Sequence, residues 1–202
     1  MPYILINPVT ASMYDMRLLS EFLAGRGFTP VSCRTDWVRL VREKYADAAA
    51  CAAKPLVDMR CPEAVAFVRG SFPGAPVLYP DIEPILLHCA REIAARFGDK
   101  DSVTVTTPCR ALADYGNAIG LKNTQFVAWS TFARQTGCRL PSVHLAQSPI
   151  PPGFFSRTGD RVRSVSGKAC IGRFFAEGRY EGARIVEMLF CPDGCNNGDG
   201  VL

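Results

Sequence analysis

Histidine is scarce in this chain of 202 residues: there are two, His88 and His144. Neither has a serine or cysteine partner at a recognisable catalytic spacing, which argues against a hydrolytic triad. Long apolar runs are missing too. None approaches the ~18 residues that a membrane span needs, so no span is expected. The opening residues, Met1-Pro2-Tyr3-Ile4-Leu5-Ile6-Asn7, carry no basic segment and no small-residue cleavage site. They read as a first buried strand, and a cytoplasmic location is expected. There is no internal repeat and no low-complexity tract. Charge of one sign is not in large excess: 23 Lys and Arg against 19 Asp and Glu leave a net charge of +4. The basic residues are scattered, with a modest excess in 34–44 and 157–173. They are not interleaved with aromatics in any nucleic-acid module, so no nucleic-acid partner is expected. These faces read as solvated surface, with docking of an acidic redox partner as the alternative.

What the chain has in excess is cysteine. Nine is a high count without a secretion signal, and an odd number at irregular spacing argues against a disulfide framework. Such cysteines are metal ligands, catalytic thiols or small buried hydrophobes. Hydrophobic residues make up 48% and charged residues 21%, the balance of a globular protein. A chain of this length folds as one domain or two small lobes and buries roughly 70% of its unfolded surface.

The order of elements reads as α/β. Apolar strands are expected at 3–6, 28–33, 55–59, 102–107, 126–129 and 183–190. Helices are expected at 11–25, 37–45, 62–69, 81–97, 130–136 (capped by Ser130) and 167–177, with Asn7-Pro8-Val9-Thr10 as a turn. Residues 139–164, with Pro141, Pro149, Pro151 and Pro152 and little periodicity, read as a long excursion or a crossing between lobes. Strands alternating with helices imply largely parallel sheets. Cys61, Cys109, Cys191 and Cys195 then fall just past the C-terminal ends of strands, the edge where α/β sheets bind ligands.

The last of these sites is Cys191-Pro192-Asp193-Gly194-Cys195-Asn196-Asn197-Gly198-Asp199-Gly200, straight after the apolar run Ile185-Val186-Glu187-Met188-Leu189-Phe190. Two soft thiolates separated by three residues, in a glycine-rich loop with many free N–H groups, suit an iron–sulfur cluster. Zinc is the alternative, although structural zinc sites more often use a two-residue gap. A third reading is a pair of buried thiols beside a turn. Cys109, in Thr106-Thr107-Pro108-Cys109, stands between a strand and an expected polar turn. Cys61, in Arg60-Cys61-Pro62, sits near a helix N-terminus, which favours the thiolate. Cys89 and Cys51 read as core thiols, Cys33 as the end of a strand, and His88 as the margin of its helix.

These motifs resemble those in the C-terminal domain of the iron-only ([FeFe]) hydrogenases. Residues 186–198 resemble that family's last cluster motif, Thr107-Pro108-Cys109 its middle motif, and Cys61-Pro62-Glu63-Ala64-Val65-Ala66-Phe67-Val68, followed by Phe72-Pro73, its first. Asn117-Ala118-Ile119-Gly120-Leu121-Lys122 is similar to the short, sensor-type relatives. The resemblance spans roughly residues 55–200. An alternative register would set Ser32-Cys33 and Trp37 on the first motif, with Cys33 as a reserve ligand. The resemblance implies a single hydrogenase-like cluster-binding domain, 1–202, with lobes roughly 1–100 and 101–202. It implies one [4Fe–4S] cubane held between the lobes by Cys61, Cys109, Cys191 and Cys195.

This chain departs from the family where hydrogen chemistry is done. The family's proton-relay cysteine before the first ligand is Arg60. Its lysine three residues after the middle ligand, which grips a cyanide of the two-iron site, is Leu112. The methionine before the middle Pro-Cys is Thr107, and the triple-glycine tail is Gly198-Asp199-Gly200. A guanidinium does not deprotonate, and leucine offers no hydrogen bonds to an anionic cofactor. The expectation is a [4Fe–4S] protein that transfers electrons or senses redox state with a protein partner, without the two-iron cofactor and without catalytic residues. The alternative is a minimal hydrogenase carrying a two-iron site.

Overall fold

The computed structural model describes residues 1–156, 159 and 161–201. Arg157, Thr158 and Asp160, within the excursion expected over 139–164, lie outside the described residues, as does Leu202. The elements run β1 (Pro2–Leu5), α1 (Pro8–Met13), α2 (Met16–Gly25), β2 (Thr29–Pro30), α3 (Trp37–Cys51), β3 (Leu56–Val57), α4 (Pro62–Ser71), α5 (Ile85–Phe97), β4 (Ser102–Thr107), α6 (Arg110–Ala118), β5 (Thr124–Ala128), α7 (Trp129–Thr136), β6 (Val162–Ser166), α8 (Lys168–Ala176) and β7 (Ile185–Leu189). All strand pairings between these strands are parallel, so the α/β expectation with parallel sheets holds. Among the described residues no helix is long and apolar enough to cross a membrane.

The chain forms two compact units. The first comprises Met1–Thr35, Leu86–Pro149 and Cys195–Leu202, the second Asp36–Ile85 and Ile150–Gly194. Lobes cut near residue 100 do not coincide with these units, because strand partners lie far apart in sequence: β1 pairs with β4 and β3 with β7. The sheet of the first unit has the order β2-β1-β4-β5. Successive strands change direction of travel between β1 and β4, which is a topological switch point. A buried polar knot closes the C-terminal ends of these two strands. Thr106 Oγ1 donates to Leu5 O (3.2 Å) and accepts from Asn7 N (2.9 Å), while the Asn7 side chain accepts from Thr10 N (3.0 Å). Asn7 thus caps α1, with Pro8 in its first turn, where a turn was expected. Leu87, Ile93, Val103, Val105, Leu112 and Phe126 form the core of this unit.

The second unit has the sheet order β3-β7-β6. The central strand β7 is buried at every residue, as a parallel strand covered on both faces must be. One cluster around Val57, Val65, Ile171, Phe174 and Met188 packs α4 and α8 against it. Another joins Val41, Tyr45, Leu56, Phe155 and Ile185.

Several boundaries differ from expectation for identifiable reasons. The helix expected over 11–25 is broken at Tyr14, which is extended, and Asp15 restarts it by accepting from the backbone of Arg17 and Leu18. Helix α5 starts at Ile85 rather than 81, after Pro84. Helix α7 starts at Trp129, and Ala128 rather than Ser130 stands at its cap. Helix α6 was unforeseen because Gly116 lowers its propensity; a Cβ there would meet the Phe126 ring at 2.4 Å, so the ring requires the glycine. Strand β6 begins within the stretch expected to be irregular, and none of its residues is fully buried. His88 is buried, not marginal, and Cys51 is exposed rather than core.

Candidate functional site

The second unit contains Cys61 and Cys191, in the segments that follow the neighbouring strands β3 and β7. Cys61 follows β3 and stands at the N-cap of α4. Its sulfur accepts from the backbone of Phe190 (3.5 Å), the residue immediately before Cys191. The N–H groups of Ala64 and Glu63, in the first turn of α4, also favour its thiolate. Burial outweighs these donors and pushes the Cys61 thiol up, with Asp58 adding to the rise. The helix N-terminus alone was expected to favour the thiolate, and desolvation reverses the net effect. After Cys191 the loop turns through Asp193 and Gly194, both at positive φ (60° and 129°). Gly167 lies close under Pro192, at 3.5 Å from a would-be Cβ.

The first unit contains Cys109 and Cys195. Cys109 is followed by helix α6, for which it is the N-cap, and not by the expected polar turn. Thr107 Oγ1 donates to Cys109 O at 2.7 Å and fixes this corner. The tail after Cys195 is threaded against it. Gly200 N donates to Pro108 O (3.2 Å), Ser130 N donates to Gly200 O (2.9 Å), and Asp199 accepts from Arg110 N (3.0 Å) at the start of α6. A Cβ on Gly198 would lie 2.3 Å from Pro108 O, and one on Gly200 would lie 2.9 Å from Cys109 N. The glycines therefore serve close backbone approach, and Asp199 supplies a helix cap where the family resemblance expects glycine. Gly198→Ala is expected to lower stability by roughly 1–3 kcal/mol, because the obstacle is a backbone carbonyl that no rotamer can move. Thermal unfolding of this variant checks it; an unchanged midpoint would mean that the tail is not seated on Pro108.

Beside Cys61 lies a buried charged knot that the sequence reading missed. Arg60 donates to Asp58 through Nε (3.0 Å) and Nη2 (2.8 Å), and its Nη2 also donates to Glu187 (2.7 Å). Its guanidinium lies 3.9 Å from the Phe154 ring centre. Asp58 and Glu187 are fully buried. Glu187 also accepts from Gly153 N (2.8 Å), Phe154 N (2.9 Å) and Ser164 Oγ (2.6 Å). Burial pushes the Asp58 carboxyl above its ordinary value, and Arg60 opposes this. The carboxylates raise the Arg60 guanidinium further, against its own desolvation, so it stays charged. The signal was available: Asp58 and Glu187 each interrupt an apolar strand run.

The four sequence-predicted cysteines thus come two to a unit. Among the described residues, no group of three or more His, Cys, Asp or Glu side chains could hold a metal ion. Thiolate sulfur is a soft donor of the kind iron–sulfur clusters take, and Cys61 among these residues has backbone N–H groups aimed at its sulfur. Cys33 belongs to the first unit and neighbours Cys89 there, while Cys61 has the strand-end position. Leu112, where the hydrogenase resemblance expects a lysine, is buried in the core with Val105 and Phe126. No protein-family model matches the chain, and no curated protein does.

Proposed function

We propose that this chain is a [4Fe–4S] protein related to the iron-only hydrogenases that transfers electrons, or senses redox state, with a protein partner. Cys61, Cys109, Cys191 and Cys195 are the ligands in this reading. The observation that supports it is that Cys61, Cys109 and Cys191 each follow a parallel strand (β3, β4 and β7), with Cys195 further along the loop after β7. The turn after Cys195 is pinned to Pro108, and the N–H before Cys191 reaches Cys61.

When bound, such a cluster supplies a one-electron couple. The rest falls to the chain's own residues. The N–H groups of Phe190, Ala64 and Glu63 stabilise negative charge on the Cys61 sulfur. Arg60, held by Asp58 and Glu187, keeps a fixed positive charge beside that ligand and has no proton to pass on. Leu112 is turned into the apolar core and offers no donor to a cyanide ligand. Both features support electron transfer or sensing over the minimal-hydrogenase alternative.

Anaerobic purification with iron and sulfide analysis tests the reading. About four irons per chain is expected, against about six for a chain that also holds a two-iron site. Supplied with a synthetic two-iron precursor, the protein is expected neither to evolve nor to oxidise hydrogen, and to give no carbonyl or cyanide infrared bands. Such bands together with turnover would replace this function with the hydrogenase one. An iron-free protein would remove the cluster altogether.

A further inference from the structure

A second pair of thiols lies outside the proposed cluster ligands. Cys33 is in the loop after β2, and Cys89 is on α5. The loop is strapped along that helix on both sides of Cys33. Arg96 Nη1 donates to Ser32 O (2.8 Å), and Glu92 accepts from Arg34 N (2.7 Å) and Thr35 N (3.3 Å). Cys89 is one helical turn before Glu92 and so shares its face. Each thiol is the first influence on the other's ionisation, as neighbours on this strapped loop and helix face would be. Both are half-buried, within reach of a small oxidant.

We propose that Cys33 and Cys89 form a reversible dithiol–disulfide pair, oxidised by hydroperoxide and reset by a dithiol reductant. Cys33 is the attacking thiol. The neighbouring Cys89 thiol holds its pKa below the ordinary thiol value, aided by Arg96 and opposed by burial and Glu92. Cys89 is pushed the other way, first by the Cys33 thiol and then by burial. The Cys33 thiolate attacks the peroxide: an S–O bond forms, the O–O bond breaks, and the leaving hydroxide (alkoxide, for an organic peroxide) takes up a proton. Cys89 then loses its proton and attacks the Cys33 sulfenic acid: the S–S bond forms, the S–O bond breaks, and water leaves. Two thiols are oxidised by two electrons, and one peroxide is reduced. A reduced dithiol reverses this by taking up the disulfide. The position gives the bond a consequence. The disulfide would tie the end of one segment of the first unit, Met1–Thr35, to the start of its next segment, Leu86–Pro149.

This inference is independent of the cluster reading, and peptide mapping of the full chain tests it. Trypsin releases Cys33 on residues 27–34 and Cys89 on residues 70–91, each with no second cysteine. Mild hydrogen peroxide followed by alkylation is expected to yield these two peptides cross-linked in most of the protein, and dithiothreitol to abolish the cross-link. In Cys89→Ser, dimedone is expected to label Cys33 as a trapped sulfenic acid. In Cys33→Ser, labelling of Cys89 is expected to fall at least tenfold below that. Absence of the cross-link while other cysteines oxidise overturns the proposal. So does labelling of Cys89 in Cys33→Ser that equals labelling of Cys33 in Cys89→Ser.

Discussion

Protein carrying Cys109→Ser or Cys195→Ser, produced without oxygen, is expected to contain almost no iron and to lose its brown colour. A cubane held by four protein thiolates has no spare ligand, and a serine hydroxyl is a poor donor to iron at neutral pH. Cluster binding is coupled to folding, so both variants are also expected to unfold at lower temperature than the wild type. The position of Cys109 makes this informative. It is the N-cap of α6 and makes no side-chain cap bond there. Serine is the better N-cap, so the substitution by itself favours the helix. Any destabilisation then reports the lost ligand and not a damaged helix. Cys89→Ala is the control: it is expected to keep its iron and to cost on the order of 1 kcal/mol in the core of the first unit. Full iron content in both serine variants would sink the four-ligand assignment, and loss of iron in Cys89→Ala would reassign that residue.

The strands were the most legible part of the chain. Ser102–Thr107 is β-branched along most of its length and was read at its observed limits, and the run leading into Cys191 was read within two residues. Helices with broad apolar stripes were found, but their starts depended on chemistry that periodicity does not carry. Asp15 restarts a helix that looks continuous, and Pro84 precedes the start of α5. Helix α6 hid because its buried face includes Gly116, whose small size answers to the Phe126 ring. The interleaving of the two units was not legible. It depends on strand partners such as Pro2 and Ser102, separated by most of a unit's worth of sequence.

The candidate site divides in the same way. That Cys61, Cys109 and Cys191 follow strands could be read from the order of apolar runs, whereas Cys195 lies further along, in a short turn. What holds them there could not. Gly198 and Gly200 read as a loosened, N–H-rich loop, yet they are confined by the Pro108–Cys109 backbone. Tertiary contact, not local flexibility, demands those glycines. Arg60 was read only as a missing thiol. Its pairing with Asp58 and Glu187 gives it a structural task that a cysteine could not perform.

That task sets the second large effect. Arg60→Leu is expected to destabilise the protein by about 3–5 kcal/mol, because it leaves two buried carboxylates without their shared cation. Glu187 keeps Gly153, Phe154 and Ser164 as donors, so the larger share of the penalty falls on Asp58. The pH dependence follows from the direction of the Asp58 shift. Its pKa is raised in the folded protein by burial, and Arg60 is the chief influence pulling it back. A carboxyl that binds its proton more tightly when folded stabilises the fold as pH falls through its folded pKa, and this gain is lost as pH rises. Without Arg60 the folded value moves higher still. The stability gap between Arg60→Leu and wild type is therefore expected to narrow as pH is lowered from neutrality toward the ordinary carboxylate range. Adding Asp58→Asn to Arg60→Leu is expected to recover part of the loss at pH 7 and to flatten this pH response. Chemical denaturation of the three proteins at neutral and mildly acidic pH provides the comparison. A gap that stays constant or widens with acid would show that the guanidinium does not hold Asp58 ionised.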